Sequence, residues 1–197
     1  MTDELYFSTI DVTTNILPAK HYNAYYNVLK DKLGQNVLDH IRGRAICSVV
    51  SEVILTKTLY IKPKRILEIG RFRGFSMGMF KYFFPDSEIV SVDIEMHPEV
   101  NLIMELLGKI ELIHGTSDDL PEGRYDCVLI DGEHSYDGAL KDWNNVKGKI
   151  NKNGIVIFDN VAMACGQVFY DIASENKYKC ELYIEDDDMH CGCVTYE

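Results

Sequence analysis

Short apolar runs alternate with amphipathic stretches from residue 65 almost to the end of the chain. RILEIG (65–70), EIVSVDI (88–94) and YDCVLIDG (125–132) have the length and the apolar content of buried strands. Between such runs, segments such as 98–108 place apolar residues at helical spacing. Strands that alternate with helices are joined by right-handed crossovers, so the pattern predicts a mostly parallel sheet.

The two ends of the chain depart from this alternation. Residues 19–34 and 36–60 carry apolar residues at helical spacing, which predicts helices placed before the sheet. At the other end, 178–197 contains two strand-like runs with no room for a helix between them, so they predict an antiparallel hairpin. The three aspartates at 186–188 are interpreted as its solvated turn, because a calcium loop needs a glycine and ligands at alternate residues.

These elements predict one α/β domain over residues 1–197, because 197 residues are too few for two comfortable cores. Residues 1–62 form its N-terminal helical segment. Residues 63–197 form a Rossmann-like core with a mostly parallel seven-stranded sheet that ends in the antiparallel hairpin.

Composition narrows the classes of function. With 31 acidic and 20 basic residues the formal charge is −11, which disfavours binding to nucleic acid. No segment approaches the roughly 20 apolar residues that span a bilayer, and the N-terminus lacks a signal-peptide layout, so no membrane partner is expected and the cytoplasm is predicted. The six cysteines lack a second pair beside Cys191-Gly-Cys193, which favours thiols packed in strands over a zinc site.

Ionisable residues cluster where two predicted strands end. LIDGEHSY (129–136) places Asp131 and His134 after one apolar run, and Asp159 and Asn160 follow another. If these strands are neighbours, the side chains meet at the carboxyl edge of the sheet, where ligands bind in open α/β folds. Two carboxylates and an amide oxygen are hard ligands that suit Mg²⁺ or a similar divalent cation.

The glycines of EIGRFRGFS (68–76) follow the first core strand and open a helix, which is where helix amides meet a nucleotide-like cofactor. Gly70 and Gly74 are four residues apart, so the stretch does not match the GxGxxG pattern of dinucleotide-binding proteins. By itself this spacing equally suits a packing turn.

Together with Asp93 at the end of the next strand, this stretch resembles the first cofactor motif of the class I S-adenosylmethionine-dependent methyltransferases, which have a Rossmann-like fold. The resemblance covers residues 65–197, including the final hairpin. It implies that Asp93 accepts the ribose hydroxyls of S-adenosylmethionine. The other cofactor-binding residues that it implies are Glu68, Gly70, Gly74 and Ser76 near the methionine end, Gly115, Ser117 and Asp118 beside the adenine, and Asp131.

Asp131, Asp159 and Asn160 resemble the metal ligands of the metal-dependent O-methyltransferases of the catechol and caffeoyl type. IDGEHSYDGALKDW (130–143) also resembles a branch that contains macrolide sugar O-methyltransferases and a cephalosporin-modifying enzyme. In that branch a histidine at the position of His134 is the proposed base. The catechol type has a lysine there, so this difference argues against a substrate class limited to phenols.

The resemblance thus implies an S-adenosylmethionine- and metal-dependent O-methyltransferase with a small-molecule acceptor, such as a vicinal diol, a sugar or a catechol-like compound. A divalent cation orients the acceptor oxygens, and His134 takes the proton from the hydroxyl. The alternatives are metal chemistry of a hydroxylase type on the same scaffold, and a non-catalytic protein that binds S-adenosylmethionine. A nicotinamide-dependent oxidoreductase is disfavoured by the glycine spacing. The sequence allows a homo-oligomer without fixing the oligomeric state.

Overall fold

A computed structural model describes residues 10–13, 19–43, 48–184 and 190–197 of the protein. Its described residues form one sheet of eight strands and seven α-helices. The strands are β1 (Ile10–Thr13), β2 (Arg65–Ile69), β3 (Glu88–Asp93), β4 (Glu111–His114), β5 (Tyr125–Ile130), β6 (Ile150–Phe158), β7 (Lys179–Ile184) and β8 (His190–Thr195). The helices are α1 (Lys20–Leu33), α2 (Gln35–Arg42), α3 (Ser48–Ile61), α4 (Phe75–Phe83), α5 (Glu99–Leu107), α6 (Tyr136–Val146) and α7 (Gly166–Ser174).

The strand order across the sheet is β1-β7-β8-β6-β5-β2-β3-β4. Strands β2 to β6 are parallel, and β8 is antiparallel to both β6 and β7. The predicted fold class, including the final antiparallel hairpin, is confirmed. From β2 the chain adds β3 and β4 on one side and then returns to place β5 on the other. The gap between β2 and β5 is therefore the topological switch point, where such sheets bind ligands.

Both faces of the sheet are covered by helices. Helices α1 to α5 pack on one face in a core that includes Tyr25 and Phe80, and α6 and α7 pack on the other around Trp143 and Phe169. Neighbouring residues of a strand point to opposite faces, so Ile66 joins the first core and the adjacent Leu67 joins the second. This arrangement explains why the central strands are apolar at successive positions and show no alternation.

The prediction of seven strands is wrong by one, because Ile10–Thr13 forms an edge strand parallel to β7. Only Ile10 of its four residues is buried, so the strand has no hydrophobic pattern and depends on backbone pairing with a distant part of the chain. The segment 1–62 is thus not wholly helical.

The stretch 36–60, for which helical structure was predicted, contains two helices, α2 and α3. Helix α2 ends at Arg42, with Gly43 as its C-cap residue. The predicted end of α1 at Gly34 is confirmed, with a φ of 79° that favours glycine.

Four of the cysteines lie in strands and are buried, in agreement with the prediction of thiols packed in the sheet: Cys127, Cys180, Cys191 and Cys193. Cys47 and the aspartate turn at 186–188 lie outside the described residues. No helix in the described ranges has both the length and the apolar character needed to cross a membrane.

Candidate functional site

A cavity of about 680 Å³ opens at the carboxyl ends of the parallel strands. Most of the predicted site residues line it, namely Gly70, Ser76, Asp93, Gly115, Ser117, Asp131, His134, Asp159 and Asn160. Glu68, Gly74 and Asp118 do not line it. The topology therefore brings the predicted cofactor and metal residues, which lie up to 90 positions apart in the chain, to one site.

Residues 70–74, called the glycine loop below, join β2 to α4, and residues 70–73 line the cavity. At Gly70 this loop crosses closely over the end of β5. Asp131 N donates to Ile69 O at 2.9 Å, and Gly70 N donates to Val92 O at 2.9 Å. Gly70 has a φ of 88°, and a Cβ atom there would lie 1.9 Å from Asp131 O. No other residue type fits at position 70, because a side chain would overlap the backbone that carries Asp131.

The Asp93 carboxylate holds the glycine loop in place at the end of β3. Its Oδ2 accepts hydrogen bonds from Arg71 N and Phe72 N, both at 2.8 Å, and its Oδ1 accepts from Glu95 N at 2.7 Å. A carboxylate has about four acceptor positions. Three are occupied by the backbone, so Asp93 has room for about one further strong hydrogen bond in this geometry.

Asp131, His134 and Asn160 meet where β5 and β6 end. His134 Nε2 lies 3.6 Å from Asp131 Oδ1, an ion-pair distance that is long for a hydrogen bond. Asn160 Nδ2 lies 3.4 Å from Asp131 Oδ1 and 3.3 Å from His134 Nε2. Asn160 has a φ of 55°, which asparagine tolerates better than most residues, and this tight turn brings its amide to the cluster.

Asp159 completes the cluster and is held by the backbone. Its N–H donates to Ile130 O at 3.1 Å, which ties the end of β6 to the end of β5. Its Oδ1 accepts from Asn160 N at 2.8 Å. The strand ends therefore fix the positions of both carboxylates before any ligand binds.

Burial and mutual repulsion act on these carboxylates. Burial and then the negative charge of Asp131 raise the pKa of Asp159 to about 7. Burial also raises the pKa of Asp131, which the neighbouring His134 partly offsets. The Asp131 carboxylate in turn raises the pKa of His134. Two half-buried carboxylates that raise each other's pKa favour a proton or a cation near them.

Across the residues that the structure describes, no group of three or more His, Cys, Asp or Glu side chains is arranged to hold a metal ion. The predicted ligand set has only two such side chains, Asp131 and Asp159, and its third member is an amide. The Asn160 amide places its nitrogen toward Asp131, so a ligand role for its oxygen requires the amide to turn over. The assignment of a metal to these residues remains a prediction.

Glu68 lies beneath the cavity, completely buried in β2. Its Oε2 accepts a hydrogen bond from Ser91 Oγ at 2.6 Å. Burial raises the pKa of Glu68 to about 7, and the hydroxyls of Ser76 and Ser91 partly offset this rise. Glu68 therefore does not line the cavity, and its contact with a cofactor stays a prediction.

The raised pKa of Glu68 predicts a pH-dependent loss of stability. Because the pKa in the folded state is above that of the unfolded chain, the contribution of Glu68 is fully present below pH 4.5 and is lost as the pH rises to about 7. Across this window the loss is on the order of 3 kcal/mol. Glu68→Gln cannot ionise, so its free energy of unfolding should fall less than that of the wild type between pH 5 and pH 8. Urea denaturation at both pH values measures this, with the exposed Glu122→Gln as control, and parallel behaviour of wild type and Glu68→Gln would contradict it.

The turn after β4 is tied to helix α6. Asp118 Oδ2 forms an ion pair with Lys141 Nζ at 2.6 Å, and Asp118 Oδ1 accepts from Asn145 Nδ2 at 2.9 Å. These partners hold the pKa of Asp118 below its usual value. Its carboxylate is thus directed at α6, although the sequence placed Asp118 beside the adenine.

Two buried charged side chains that line the cavity were missed by the sequence reasoning. Arg71 is 2% exposed, and its guanidinium donates to Ser91 O at 2.8 Å and Ile113 O at 3.2 Å, which binds the glycine loop to β3 and β4. Asp142 is 7% exposed and interrupts the buried face of α6, next to Trp143. Asp142 could have been found from the sequence, because it places a carboxylate among the apolar positions of a helix. No pattern in the sequence marks Arg71.

Comparisons with known proteins bear on this fold and site. Residues 67–161 match the family model described as a methyltransferase domain. No curated protein matches the chain at a significant level. The fold is similar to that of an O-methyltransferase from Bacillus cereus in complex with SAH, with a TM-score of 0.66 and 14% identity over 90% of this chain and 100% of that one.

Two further solved structures share the fold. The SAH-bound methyltransferase PaMTH1 of Podospora anserina has a TM-score of 0.59 and 18% identity, over 94% of this chain and 91% of that one. The O-methyltransferase TomG of Streptomyces achromogenes, which is involved in tomaymycin synthesis and was solved with SAM, has a TM-score of 0.58 and 14% identity, over 98% and 96% of the two chains. At these identities the likeness extends to the fold alone.

Proposed function

We propose that this protein, of which residues 67–161 match the model of a methyltransferase domain, transfers a methyl group from S-adenosylmethionine to a hydroxyl oxygen of a small molecule, with the help of a divalent cation such as Mg²⁺. The methyltransferase resemblance drawn from the sequence is confirmed by that family match and by the fold. The observation that carries the finer proposal is the meeting of Asp131, His134, Asp159 and Asn160 in the same cavity that Asp93 borders.

The cofactor assignment is supported by the position of the cavity in the sheet and by solved structures with a similar fold. Three similar structures contain SAM or SAH, and their cofactor is the one proposed here. Gly70 follows β2 at the switch point between β2 and β5, and Asp93 ends the neighbouring strand β3 in the same cavity, where a nucleoside enters such sheets. In this chain Asp93 would bind a ribose hydroxyl with the acceptor position that the backbone leaves open.

The residues at the ends of β5 and β6 fit a divalent cation. Burial and the charge of Asp131 raise the pKa of Asp159 to about 7, and this supports a cation between the two carboxylates. Asp131 and Asp159 would hold the cation with the Asn160 oxygen, leaving positions for water or acceptor. When bound, the cation supplies a positive charge that orients the acceptor oxygens and lowers the pKa of the hydroxyl.

His134 is the proposed base. Its imidazole lies on the cavity wall beside Asp131 and is partly exposed, so an acceptor hydroxyl can approach it. The imidazole takes the hydroxyl proton, and the Asp131 carboxylate stabilises the imidazolium that results. The oxygen then forms a bond to the methyl carbon while the carbon–sulfur bond breaks, which leaves S-adenosylhomocysteine and the methylated product.

The test is methyl transfer by the purified protein from S-adenosylmethionine to a panel of vicinal diols, sugars and catechols. We expect product formation that Mg²⁺ supports, that EDTA abolishes and that added Mg²⁺ restores. Full activity in EDTA would refute the metal assignment. Calorimetric titration with S-adenosylmethionine separates the other outcomes, because binding without turnover on the whole panel would favour the non-catalytic alternative. A requirement for iron and oxygen would favour hydroxylase-like chemistry.

Several wider expectations stay predictions. They are the small-molecule acceptor, which the resemblance implies, and a location in the cytoplasm without nucleic acid or membrane partners, which is inferred from the charge and the apolar content of the chain. A homo-oligomer is compatible with these features.

A further inference from the structure

The cavity extends across the sheet, and its two ends belong to different strands. Asp93 ends β3 and Gly115 follows β4, so both line the cavity on one side of the switch point. His190 lines it from the first residue of β8, on the other side and beyond β6. The strands β6, β5 and β2 separate β8 from β3. Neighbouring strands lie about 4.8 Å apart, so His190 and Asp93 are roughly 19 Å apart along the sheet.

His190 is joined by its backbone to the loop that carries the predicted metal ligands. Val161 N donates to His190 O at 3.1 Å, and Val161 directly follows Asp159 and Asn160. The imidazole of His190 is partly exposed. The ends of β5 and β6, where the reactive cluster lies, are therefore between His190 and the strands that carry the proposed cofactor residues.

Helix α3 brings an apolar side chain to the same end of the cavity. Lys57 Nζ donates to Glu181 Oε2 at 2.7 Å, so the second half of α3 lies over β7. Val50 lies two turns before Lys57 on the same face of the helix. It lines the cavity and is 3% exposed. Val50 and His190 together are called the acceptor end below.

The geometry of methyl transfer directs the acceptor to this end. The new oxygen–carbon bond forms in line with the carbon–sulfur bond that breaks, so the acceptor lies across the methyl group from the cofactor. The proposed cofactor residues follow β2, β3 and β4. The body of the acceptor then extends from the reactive cluster away from those strands, toward Val50 and His190.

We propose that His190 hydrogen-bonds a hydroxyl of the acceptor other than the two oxygens placed at the cation, and so favours acceptors with at least three oxygens. This proposal rests on the proposed function, because it presumes methyl transfer at the ends of β5 and β6. A neutral imidazole has one donor and one acceptor nitrogen, and a hydroxyl can bind to either. Asp131 and Asp159 line the same cavity and repel an anion, so a hydroxyl suits this end better than a carboxylate.

The expected effect is a preference for acceptors with one additional hydroxyl. The wild type should methylate glycerol with a kcat/KM about 10-fold above that for propylene glycol, and hydroxyhydroquinone about 10-fold better than catechol. His190→Phe keeps a ring but makes no such hydrogen bond, so each ratio should fall below about threefold. His190→Gln keeps a donor and an acceptor and should retain part of the preference.

Initial rates with each acceptor measure these ratios, and thermal unfolding checks that each variant folds. His114→Phe is the matched control, because it makes the same change at an exposed position that ends β4 and does not line the cavity. It should keep the wild-type ratios. Val50→Ala removes part of the apolar wall, so it should raise the KM of both members of a pair and leave their ratio unchanged.

Three results would overturn the role of His190 in an active enzyme. They are ratios in His190→Phe equal to those of the wild type, a wild-type preference for protocatechuate over hydroxyhydroquinone, and a changed Mg²⁺ requirement in His190→Phe. The second result would indicate a carboxylate partner, and the third would mean that His190 acts through the loop of Asp159 and Asn160. If the wild type binds S-adenosylhomocysteine but methylates no acceptor, the proposed function fails, and this proposal with it.

Discussion

Replacing Asp131 or Asp159 by alanine is expected to lower the rate of methyl transfer by at least about 10³-fold, which corresponds to about 4 kcal/mol of transition-state stabilisation. Each substitution removes one of two half-buried carboxylates that lie at the ends of β5 and β6 and line the same cavity. With one carboxylate left, the site would bind a divalent cation weakly, so the acceptor would be neither oriented nor activated.

Initial rates measured over a range of Mg²⁺ concentrations test this expectation. The alanine variants should show no saturable response to Mg²⁺, whereas Asp137→Ala, an exposed residue outside the cavity, should respond as the wild type does. Retention of more than about a tenth of the wild-type rate in both variants would rule out a metal site at these residues.

His134→Gln separates the proposed base from the metal ligands in the same assay. Glutamine keeps polar contacts to Asp131 but cannot take a proton, so the rate should fall by about 10²- to 10⁴-fold while the Mg²⁺ concentration for half-maximal rate stays the same. An unchanged rate would mean that His134 is not the base. A large shift in the Mg²⁺ requirement would place His134 among the groups that orient the ligands.

The second large effect is expected for cofactor binding. Asp93→Ala should weaken the binding of S-adenosylhomocysteine about 100-fold, because two losses add together. The substitution removes a hydrogen bond to the ribose, and it also removes the acceptor for Arg71 N and Phe72 N, which shape the glycine loop. Because the loop crosses Asp131 at Gly70, its displacement would also disturb the reactive end of the cavity.

Calorimetry on the wild type, Asp93→Ala and Asp93→Asn checks this result. Asparagine keeps one acceptor oxygen and should recover part of the affinity. Asp86→Ala, an exposed aspartate before β3, is the control for a change of net charge. Binding by Asp93→Ala within about threefold of the wild type would exclude Asp93 from the cofactor site.

Much of the fold follows from local patterns. The apolar runs predicted all five parallel strands and the final hairpin, because a strand buried on both faces must be apolar at nearly every position. The edge strand Ile10–Thr13 was missed for the opposite reason. It buries one side chain and is held by backbone hydrogen bonds to β7. Backbone pairing of this kind requires no alternation of apolar and polar residues, so the sequence shows no strand pattern there.

By itself, the sequence determined the chemical types at the site and the strand ends that carry them. Asp131, Asp159 and Asn160 were recognised because polar residues directly after buried strands must lie at the carboxyl edge of the sheet. The tertiary structure alone decided which carboxylates face the cavity and which are turned away. Asp118 is drawn to Lys141 on α6, and Asp142 on the same helix is buried at the cavity wall. Such pairings join residues more than 20 positions apart, and their energies depend on burial and distance, which only the packed chain defines.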